Sequence, residues 1–360
     1  MNRLFFARID WSIITPVLII VLLSLITLFS INKAFFENQL FFFAVSLVVF
    51  IFCTQLDLRS LRTYVLPLYI LALVCFTVVL IVGLESRGAV RWLDIFGARI
   101  QFSEFFKPLL AYALAVYLGT RQKLSFGTFL TAGILLLPIA LLIAKQPDLG
   151  NALIYVMIGG LTMLFVGFPL LWFGIILVLL GAATPILWHF LHDYQKHRIL
   201  TFIQPGSDPL GTSYNAIQSI IAVGSGGFLG KGLGAGTQSG LRFLPERHTD
   251  FIFASFAESA GFLGVMVLLA CFIYLSYRLI MIYSRTQDPV EKIFVAMGFF
   301  LIILQAFINI GMNIGMLPIV GVTLPFMSYG GSSLLANFIL LGMLCAIAKQ
   351  PQNTHTLAIR

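Results

Sequence analysis

Basic residues are concentrated in two segments of this sequence, 84–107 and 191–250. Nine of its 22 lysines and arginines fall there, namely Arg87, Arg91, Arg99, Lys107, Lys196, Arg198, Lys231, Arg242 and Arg247. Clustered ammonium and guanidinium groups are suited to holding an anion such as phosphate. The alternative is solvated loop charge, partly balanced by Glu85, Asp94 and Asp193. The pattern therefore indicates two loops that could bind an anionic substrate.

Three carboxylates are candidates for the same outer site, two of them inside the basic segments and the third, Asp148, at the predicted outer end of span six. Glu104 lies three residues before Lys107 at the start of an apolar stretch, which places both on one helix face. Charges inside a bilayer are expensive, so a functional role is expected, and a plain intramembrane ion pair is the alternative. Asp148 and Asp250 each come directly before an apolar run, where each could be a functional carboxylate or the N-cap of a helix.

Other motifs give weaker signals. Glu258 lies eight residues after Asp250, roughly on the same helix face, and is predicted to be a buried hydrogen-bonding or ion-pair partner. The glycine-rich run 224–240 does not match a phosphate-binding loop, because no predicted strand precedes it and glycine follows Lys231. It predicts backbone that lies flat against the membrane or neighbouring helices. The histidines and cysteines lack ligand spacing, so no metal site is predicted.

The elements that must position these residues are membrane-spanning helices. Hydrophobic residues make up 59% of the 360, charged residues only 10%, and the mean hydropathy is +1.00. Such a chain has too little charge for a soluble surface, and its apolar blocks can cross a bilayer. The prediction is an all-α integral membrane protein, a single polytopic domain over residues 1–360. Ten transmembrane helices are predicted, near 12–31, 39–55, 64–84, 103–118, 126–144, 149–166, 170–190, 251–277, 293–312 and 326–348.

The orientation follows from the basic residues in the short loops. Eleven lie on one side of the ten spans, whereas the short loops opposite contain only Lys33 and Lys145. The richer side is predicted to face the cytoplasm, together with both termini. Segment 191–250, between spans seven and eight, then becomes a large extracytoplasmic loop with an amphipathic stretch at 213–223. It is too long to be a passive connector.

Four motifs together resemble a known family. The family is SEDS, which comprises the RodA, FtsW and SpoVE peptidoglycan polymerases. The motifs are FLPERHTDFIFA at 243–254, GAGTQS at 234–239, QPDLG at 146–150 and LPFMSYGGSS at 324–333. The similarity covers essentially the whole chain, including the ten-span layout. Arg247 within PERHTD, the GTQS run and the short cytoplasmic tail resemble the RodA branch more than the FtsW branch.

The resemblance implies polymerisation of lipid II outside the cytoplasmic membrane, by inverting transfer of disaccharide-pentapeptide units to a glycan strand. Such a reaction needs one base, because a pyrophosphate leaves unprotonated when cations hold it. Asp250 matches the family's essential aspartate and is predicted to be this base, its pKa raised by partial burial. The substrate-binding residues are predicted to be Glu104, Lys107, Asp148, Arg198, Arg91, Arg99, Lys196 and Arg242. Among them Arg198 and Lys107 are the preferred pyrophosphate ligands.

The resemblance also implies partners, namely the membrane, lipid II, the growing glycan strand, a class B penicillin-binding transpeptidase and the elongation complex. Nucleic acid is not expected. No cofactor is assigned, although a divalent cation such as Mg²⁺ could arrive with the substrate's pyrophosphate. Three alternatives stay open: a lipid II flippase or transporter, a septal polymerase of the FtsW type, and a noncatalytic scaffold of the cell-wall synthesis machinery.

Overall fold

The computed structural model describes residues 9–86, 89–95, 98–190, 196, 200, 202–204, 213–241 and 243–349. Helices dominate this part of the chain. In chain order the α-helices are α1 (Trp11–Ile31), α2 (Lys33–Cys53), α3 (Leu58–Leu61), α4 (Val65–Val82), α5 (Phe102–Phe105), α6 (Lys107–Gly119), α7 (Phe126–Lys145), α8 (Leu149–Val166), α9 (Leu170–Phe190), α10 (Tyr214–Ser225), α11 (Thr237–Gly240), α12 (Ile252–Arg285), α13 (Pro289–Asn313) and α14 (Gly331–Ala348).

Eight helical segments within the described residues are long and apolar enough to cross a membrane. One of them, Leu58–Val82, joins α3 and α4 through the 3-10 turn Arg62–Tyr64. Two further apolar helices, α6 and the Leu170–Ile186 part of α9, are shorter and lie where the fourth and seventh spans are predicted. The prediction of a multi-span helical membrane fold is thereby confirmed.

Polar side chains define where several of the long helices begin. Asp, Asn and Ser accept hydrogen bonds from free N–H groups in the first turn of a helix. The residues in this position are Asp10 before α1, Asn32 before α2, Ser125 before α7, Asp148 before α8 and Asp288 before α13. At its other end α8 stops at Gly167, which has a φ of 109° and precedes Pro169. This is the break predicted between spans six and seven.

The all-α prediction is wrong for one short segment. A three-stranded antiparallel sheet occupies it, with β1 (Leu84–Ser86), β2 (Ala89–Ile95) and β3 (Ala98–Ile100) as neighbours in that order. Valine, tryptophan and isoleucine in β2 and β3 fit a pleated, half-buried surface. β2 packs against α4 and β3 against α14. The sheet therefore carries Arg91 and Arg99 to the ends of helices.

The tenth predicted span begins too early. Residues 326–330 are not helical, and Phe326 has a φ of 62°, in the left-handed region. The backbone of this segment is bound by buried side chains of the first two helices instead. The Ser24 hydroxyl donates to the Met327 carbonyl at 2.6 Å, and the Gln39 side-chain amide donates to the Ser328 carbonyl at 3.2 Å. These tertiary contacts hold the series of turns that leads into α14.

α12 is interrupted at Gly261, whose φ of 64° and ψ of −166° are open almost only to glycine. The two N–H groups after the break donate to the carbonyls of Gly227 and Phe228, at 2.9 and 3.2 Å. Two carbonyls before the break accept the N–H groups of Lys231 and Gly232, at 2.9 and 3.0 Å. The prediction that the glycine-rich run lies against neighbouring helices is confirmed by these bonds.

The centre of the bundle is formed by α12, α13 and α14. α13 packs against α6, α8 and α12, while α14 packs against α2. α1 completes this layer by packing against α12. This arrangement brings together the start of α12, the end of α13 and the start of α14, where the candidate site lies.

Candidate active site

Asp250 is half-buried and lies two residues before α12, whose N-cap position is occupied by Phe251, so the alternative that Asp250 is the N-cap is wrong. Its backbone carbonyl accepts hydrogen bonds from the side-chain amides of Asn309 and Asn313, both at 3.0 Å. Its carboxylate stands against Gly321, because a Cβ built on that glycine would lie 3.5 Å from Oδ2. Gly321 also has a φ of 73°, which side-chain-bearing residues rarely adopt. Asp250 therefore faces the loop 314–330 between α13 and α14.

The turn that leads into α12 is bound to the segment that leads into α14. Glu246 has a φ of 52°, and its carbonyl accepts the N–H of Thr249 at 3.1 Å. The Ser328 hydroxyl donates to the Thr249 carbonyl at 2.8 Å. The Tyr329 N–H donates to the His248 carbonyl at 2.9 Å. Two of the motifs that carry the family resemblance are thus in direct contact.

Asp148 is 2% exposed and lies in a cluster of polar side chains. Its Oδ2 accepts hydrogen bonds from Gln101 at 2.8 Å, Asn151 at 2.9 Å and Ser103 at 3.3 Å. Its Oδ1 lies 4.0 Å from Nη1 of Arg91 and accepts the N–H of Asn151 at 3.3 Å. Asp148 therefore caps α8, as its alternative interpretation predicts, and also pairs with one of the predicted substrate-binding cations.

Glu104 and Lys107 form an ion pair at the start of α6. The N–O distance is 2.7 Å, and the two side chains are only 5% and 3% exposed. Charges at such depth attract each other strongly, but their desolvation offsets much of that gain. The predicted contact between the two residues is confirmed.

The Asp148 cluster and Asp250 contact the same loop. Gly150, two residues after Asp148, packs so closely on the Val320 carbonyl that no side chain would fit there. Gly321, the next residue of the loop, faces the Asp250 carboxylate. On the same side, the Gln101 N–H donates to the Ser332 hydroxyl at 3.0 Å, at the start of α14. The Asp250 carboxylate and the helix turn that Asp148 caps thus contact neighbouring residues of one loop.

The other predicted cations have different outcomes. Arg99 is exposed on β3, and its carbonyl lies 3.5 Å from the Ser332 hydroxyl. Lys196 is half-buried. Arg198 and Arg242 lie outside the described residues. Among the predicted cations, Arg91 and Lys107 are two that the structure places next to site carboxylates.

Glu258 is fully buried and binds the GTQS segment. Its Oε2 accepts the N–H and hydroxyl of Ser239, at 2.9 and 2.7 Å. Its Oε1 accepts the N–H of Gln238 at 2.9 Å, the ammonium of Lys231 at 3.2 Å and the hydroxyl of Thr237 at 3.3 Å. The predicted hydrogen-bonding and ion-pair role is confirmed, and it attaches the glycine-rich run to α12.

Uncharged amides at the site were missed by the sequence reasoning, which followed charges. Asn309 and Asn313 contact Asp250, Gln101 and Asn151 contact Asp148, and Gln39 binds the segment before α14. A signal was available, because polar side chains in apolar spans are expensive and Asn309 and Asn313 lie four residues apart on one helix face.

Among the described residues, no group of three or more His, Cys, Asp or Glu side chains could hold a metal ion. His248, the histidine nearest to Asp250 in sequence, stacks its ring on Phe35 with centroids 4.1 Å apart and planes 7° apart. Its ring is therefore used in packing.

Comparison with known proteins gives a consistent result. The family model FTSW_RODA_SPOVE, described as cell cycle protein, matches residues 2–353. The peptidoglycan glycosyltransferase MrdB of Escherichia coli strain K12 is 41% identical over 317 residues, which cover 86% of this chain and 85% of that protein. MrdB of Helicobacter pylori strain 26695 is 37% identical over 348 residues, covering 94% and 89%.

Solved structures agree. A chain from a study of structural coordination of polymerization and crosslinking by a peptidoglycan synthase complex has a TM-score of 0.81 and 31% identity, covering 94% of this chain and 97% of that one. The rod shape determining protein RodA of Thermus thermophilus has a TM-score of 0.72 and 26% identity, covering 94% and 96%.

Proposed function

We propose a function for this chain from the premise that it belongs to the FtsW/RodA/SpoVE family. It is a peptidoglycan glycosyltransferase that polymerises lipid II into glycan strands during cell-wall elongation and cell-shape maintenance. Relatives named peptidoglycan glycosyltransferase MrdB, at 41% and 37% identity, support this assignment over septal synthesis. A relative named as a probable FtsW, from Geobacter metallireducens, is 34% identical.

The observation that carries the catalytic assignment is the setting of Asp250. A half-buried carboxylate ends a polar loop close to the start of a long apolar helix and lies beside Gly321. A general base must come within hydrogen-bond reach of the proton that it removes. The acceptor sugar's hydroxyl is proposed to bind beside this carboxylate, at the loop 314–330.

The reaction then needs one proton transfer and one displacement. Asp250 accepts the proton of the acceptor sugar's 4-hydroxyl as that oxygen forms a bond to the anomeric carbon of the donor. The bond from the anomeric carbon to the pyrophosphate oxygen breaks, and undecaprenyl pyrophosphate leaves with the electron pair. Attack opposite the leaving group inverts the anomeric centre. General base catalysis of this kind contributes about 10²–10⁴-fold.

Cations must hold the departing diphosphate. Lys107 and Arg91 are the best supported, since each already pairs with a buried carboxylate of the site, at 2.7 and 4.0 Å. An ammonium has three N–H donors and a guanidinium has five, so each keeps free donors for a phosphate while it binds one carboxylate. Glu104 and Asp148 keep the two cations in place between turnovers. Arg99, Lys196, Arg198 and Arg242 complete the proposed set, with a divalent cation on the pyrophosphate as an open addition.

Replacing Asp250 tests the assignment directly. Asp250→Asn keeps the size of the side chain and removes its basicity, so glycan synthesis from lipid II by purified protein should fall below detection. Asp57→Asn is the matched control, because Asp57 only caps α3 at the far end of the bundle and asparagine caps equally well. Normal glycan output from Asp250→Asn, at normal yield in the membrane, would sink the base assignment.

The proposed topology has ten spans, both termini in the cytoplasm and loop 191–250 on the extracytoplasmic side of the cytoplasmic membrane. Single cysteines report this with a membrane-impermeant maleimide on intact cells. Leu241→Cys, at an exposed position in the loop, should be labelled, and Thr286→Cys, after α12, should not. The reversed labelling pattern would overturn both the orientation and the location of the active site.

The proposed partners are the elongation complex and a class B penicillin-binding transpeptidase, in line with a structural relative from a synthase complex that joins polymerization and crosslinking. Purified protein incubated with lipid II, with and without such a transpeptidase, should give glycan polymer, and more with the partner present. Lipid II movement across vesicles without polymer would favour a flippase. Neither polymer nor movement would favour a scaffold.

A further inference from the structure

The side chain of Asn313 contacts the backbone at the start of α12. This helix begins at Ile252, so the N–H of Ala254 lies in its first turn, where it has no acceptor within the helix. The Asp250 carbonyl accepts from Nδ2 of Asn313 at 3.0 Å, and the Ala254 N–H donates to Oδ1 of the same side chain at 3.3 Å. The asparagine amide thus binds a free N–H group of the first turn and the carbonyl of Asp250 at the same time.

Asn309, one turn earlier on α13, repeats the contact. Its Nδ2 donates to the Asp250 carbonyl at 3.0 Å and to the Val322 carbonyl at 2.7 Å. Val322 follows Gly321, the residue that faces the Asp250 carboxylate. One amide group therefore fixes the backbone of Asp250 relative to the loop that forms the front of the site.

The two asparagines are also tied to each other and to α10. Nδ2 of Asn313 donates to the Asn309 carbonyl at 2.8 Å, and the Ser219 hydroxyl donates to the Asn313 carbonyl at 2.9 Å. Both asparagine side chains are fully buried. The amide group of each asparagine donates hydrogen bonds to backbone carbonyls. An aspartate at either position would lack this donor, and an apolar residue would lack both donor and acceptor.

We propose that Asn309 and Asn313 are positioning residues for the reaction, and that they set the direction of the Asp250 carboxylate by holding its backbone carbonyl. This inference rests on the proposed role of Asp250 as base. The carbonyl and the carboxylate of one residue share a Cα atom, so a shift of the backbone moves the base. A misplacement of about 1 Å can lower a rate about 100-fold.

The test compares kinetic constants of amide variants with a matched control. Asn313→Leu and Asn309→Leu keep the branched shape of the side chain and remove the donors, and each should lower kcat about 100-fold with KM changed less than about twofold. Asn313→Asp keeps the acceptor for Ala254 but loses the donor to Asp250, and it should lower kcat as well. If the leucine variants fail to fold, Asn313→Asp provides the kinetic test in their place.

Gln305→Met is the control, because Gln305 is an equally buried amide one turn before Asn309 on α13, and its side-chain atoms have no hydrogen-bond partner among the described residues. It should keep kcat within about twofold. Equal losses of kcat in this control, or losses in the asparagine variants that appear in KM alone, would overturn the positioning role. Asp250→Asn, measured in parallel, distinguishes the base role of Asp250 from the positioning role of the asparagines. Activity in Asp250→Asn would overturn the base role. Normal kcat in the asparagine variants, together with an inactive Asp250→Asn, would overturn only the positioning role.

Discussion

Two ion pairs of nearly equal length lie near the two ends of α6 and differ in burial. Glu104 and Lys107 are 2.7 Å apart with side chains 5% and 3% exposed, while Arg62 and Asp288 are 2.6 Å apart with 26% and 20% exposed. A partly exposed pair adds little stability, and a deeply buried pair is often no better than an apolar replacement. Stability alone therefore does not explain the charges at the Lys107 end.

The same contrast extends to the surroundings of the two pairs. The pair at Arg62 joins the start of α13 to the turn before α4, and its charges serve the packing of helix ends. Near the pair at Lys107, Tyr155 donates to the Ser103 carbonyl at 2.9 Å, and Ser103 in turn contacts Asp148. Glu291, at the Arg62 end, is also buried and lies 3.9 Å from Arg62, so buried charge is present at both ends. At the Lys107 end it continues into the Asp148 cluster, and Gly150 beside that cluster contacts the loop that faces the candidate base.

Removing one partner of the buried pair should give the largest effect. Lys107→Met leaves the Glu104 carboxylate buried without a counter-ion, which should lower the free energy of unfolding by about 3–5 kcal/mol. Lipid II polymerisation should also disappear. Thermal unfolding in detergent and glycan synthesis measure the two losses, and an unchanged melting temperature would show that the carboxylate is not confined as the structure indicates.

Removing both charges separates function from stability. The double variant Glu104→Gln with Lys107→Met should unfold within about 1 kcal/mol of the parent, because replacing a buried pair is often neutral or stabilising. Polymerisation should still fall by about 10²-fold or more, since a cation for the leaving diphosphate is lost. Full activity in a stable double variant would show that the Glu104–Lys107 pair has only a structural role.

Several features of the fold and of the candidate site could be predicted from the residue types in the sequence. The membrane fold, the Glu104–Lys107 contact, the cap at Asp148 and the burial of Glu258 follow from apolar blocks, helix spacing and the expense of buried charge. The sheet at 84–100, the break at Gly261 and the asparagine contacts could not be anticipated in the same way. Each depends on which distant backbone groups, such as the Gly227 carbonyl, come to lie beside it.

A smaller effect is expected at Glu258. Glu258→Gln puts an amide NH₂ where an oxygen now accepts from Ser239 or from Gln238, Lys231 and Thr237. At least two donors then lose their acceptor, which should lower the free energy of unfolding by about 1–3 kcal/mol. Protease cleavage within 224–240 should become faster. Glu37→Gln, at an exposed pair on α2, is the control, and equal cleavage rates in both would contradict the anchoring role.

The smallest effect is expected at the partly exposed pair. Asp288→Asn keeps a good N-cap for α13 and removes only the charge facing Arg62, so the free energy of unfolding should fall by about 0.2–1 kcal/mol at pH 7. Polymerisation should stay within about twofold.

The pH dependence of that difference provides a second check. Burial acts to raise the pKa of Asp288, but hydrogen bonds from Arg62 and from the Glu291 and Val290 N–H groups outweigh it and hold the pKa below its usual value. The contribution of the charge is therefore complete above the ordinary aspartate pKa of about 3.9 and is lost as the pH falls through the lower folded-state value. Parent and variant should unfold together at sufficiently low pH. A difference in the free energy of unfolding that persists at low pH would mean that the variant disturbs the N-cap of α13 rather than the ion pair. The Arg62–Asp288 pair could then not be used in the comparison between the two ends of α6.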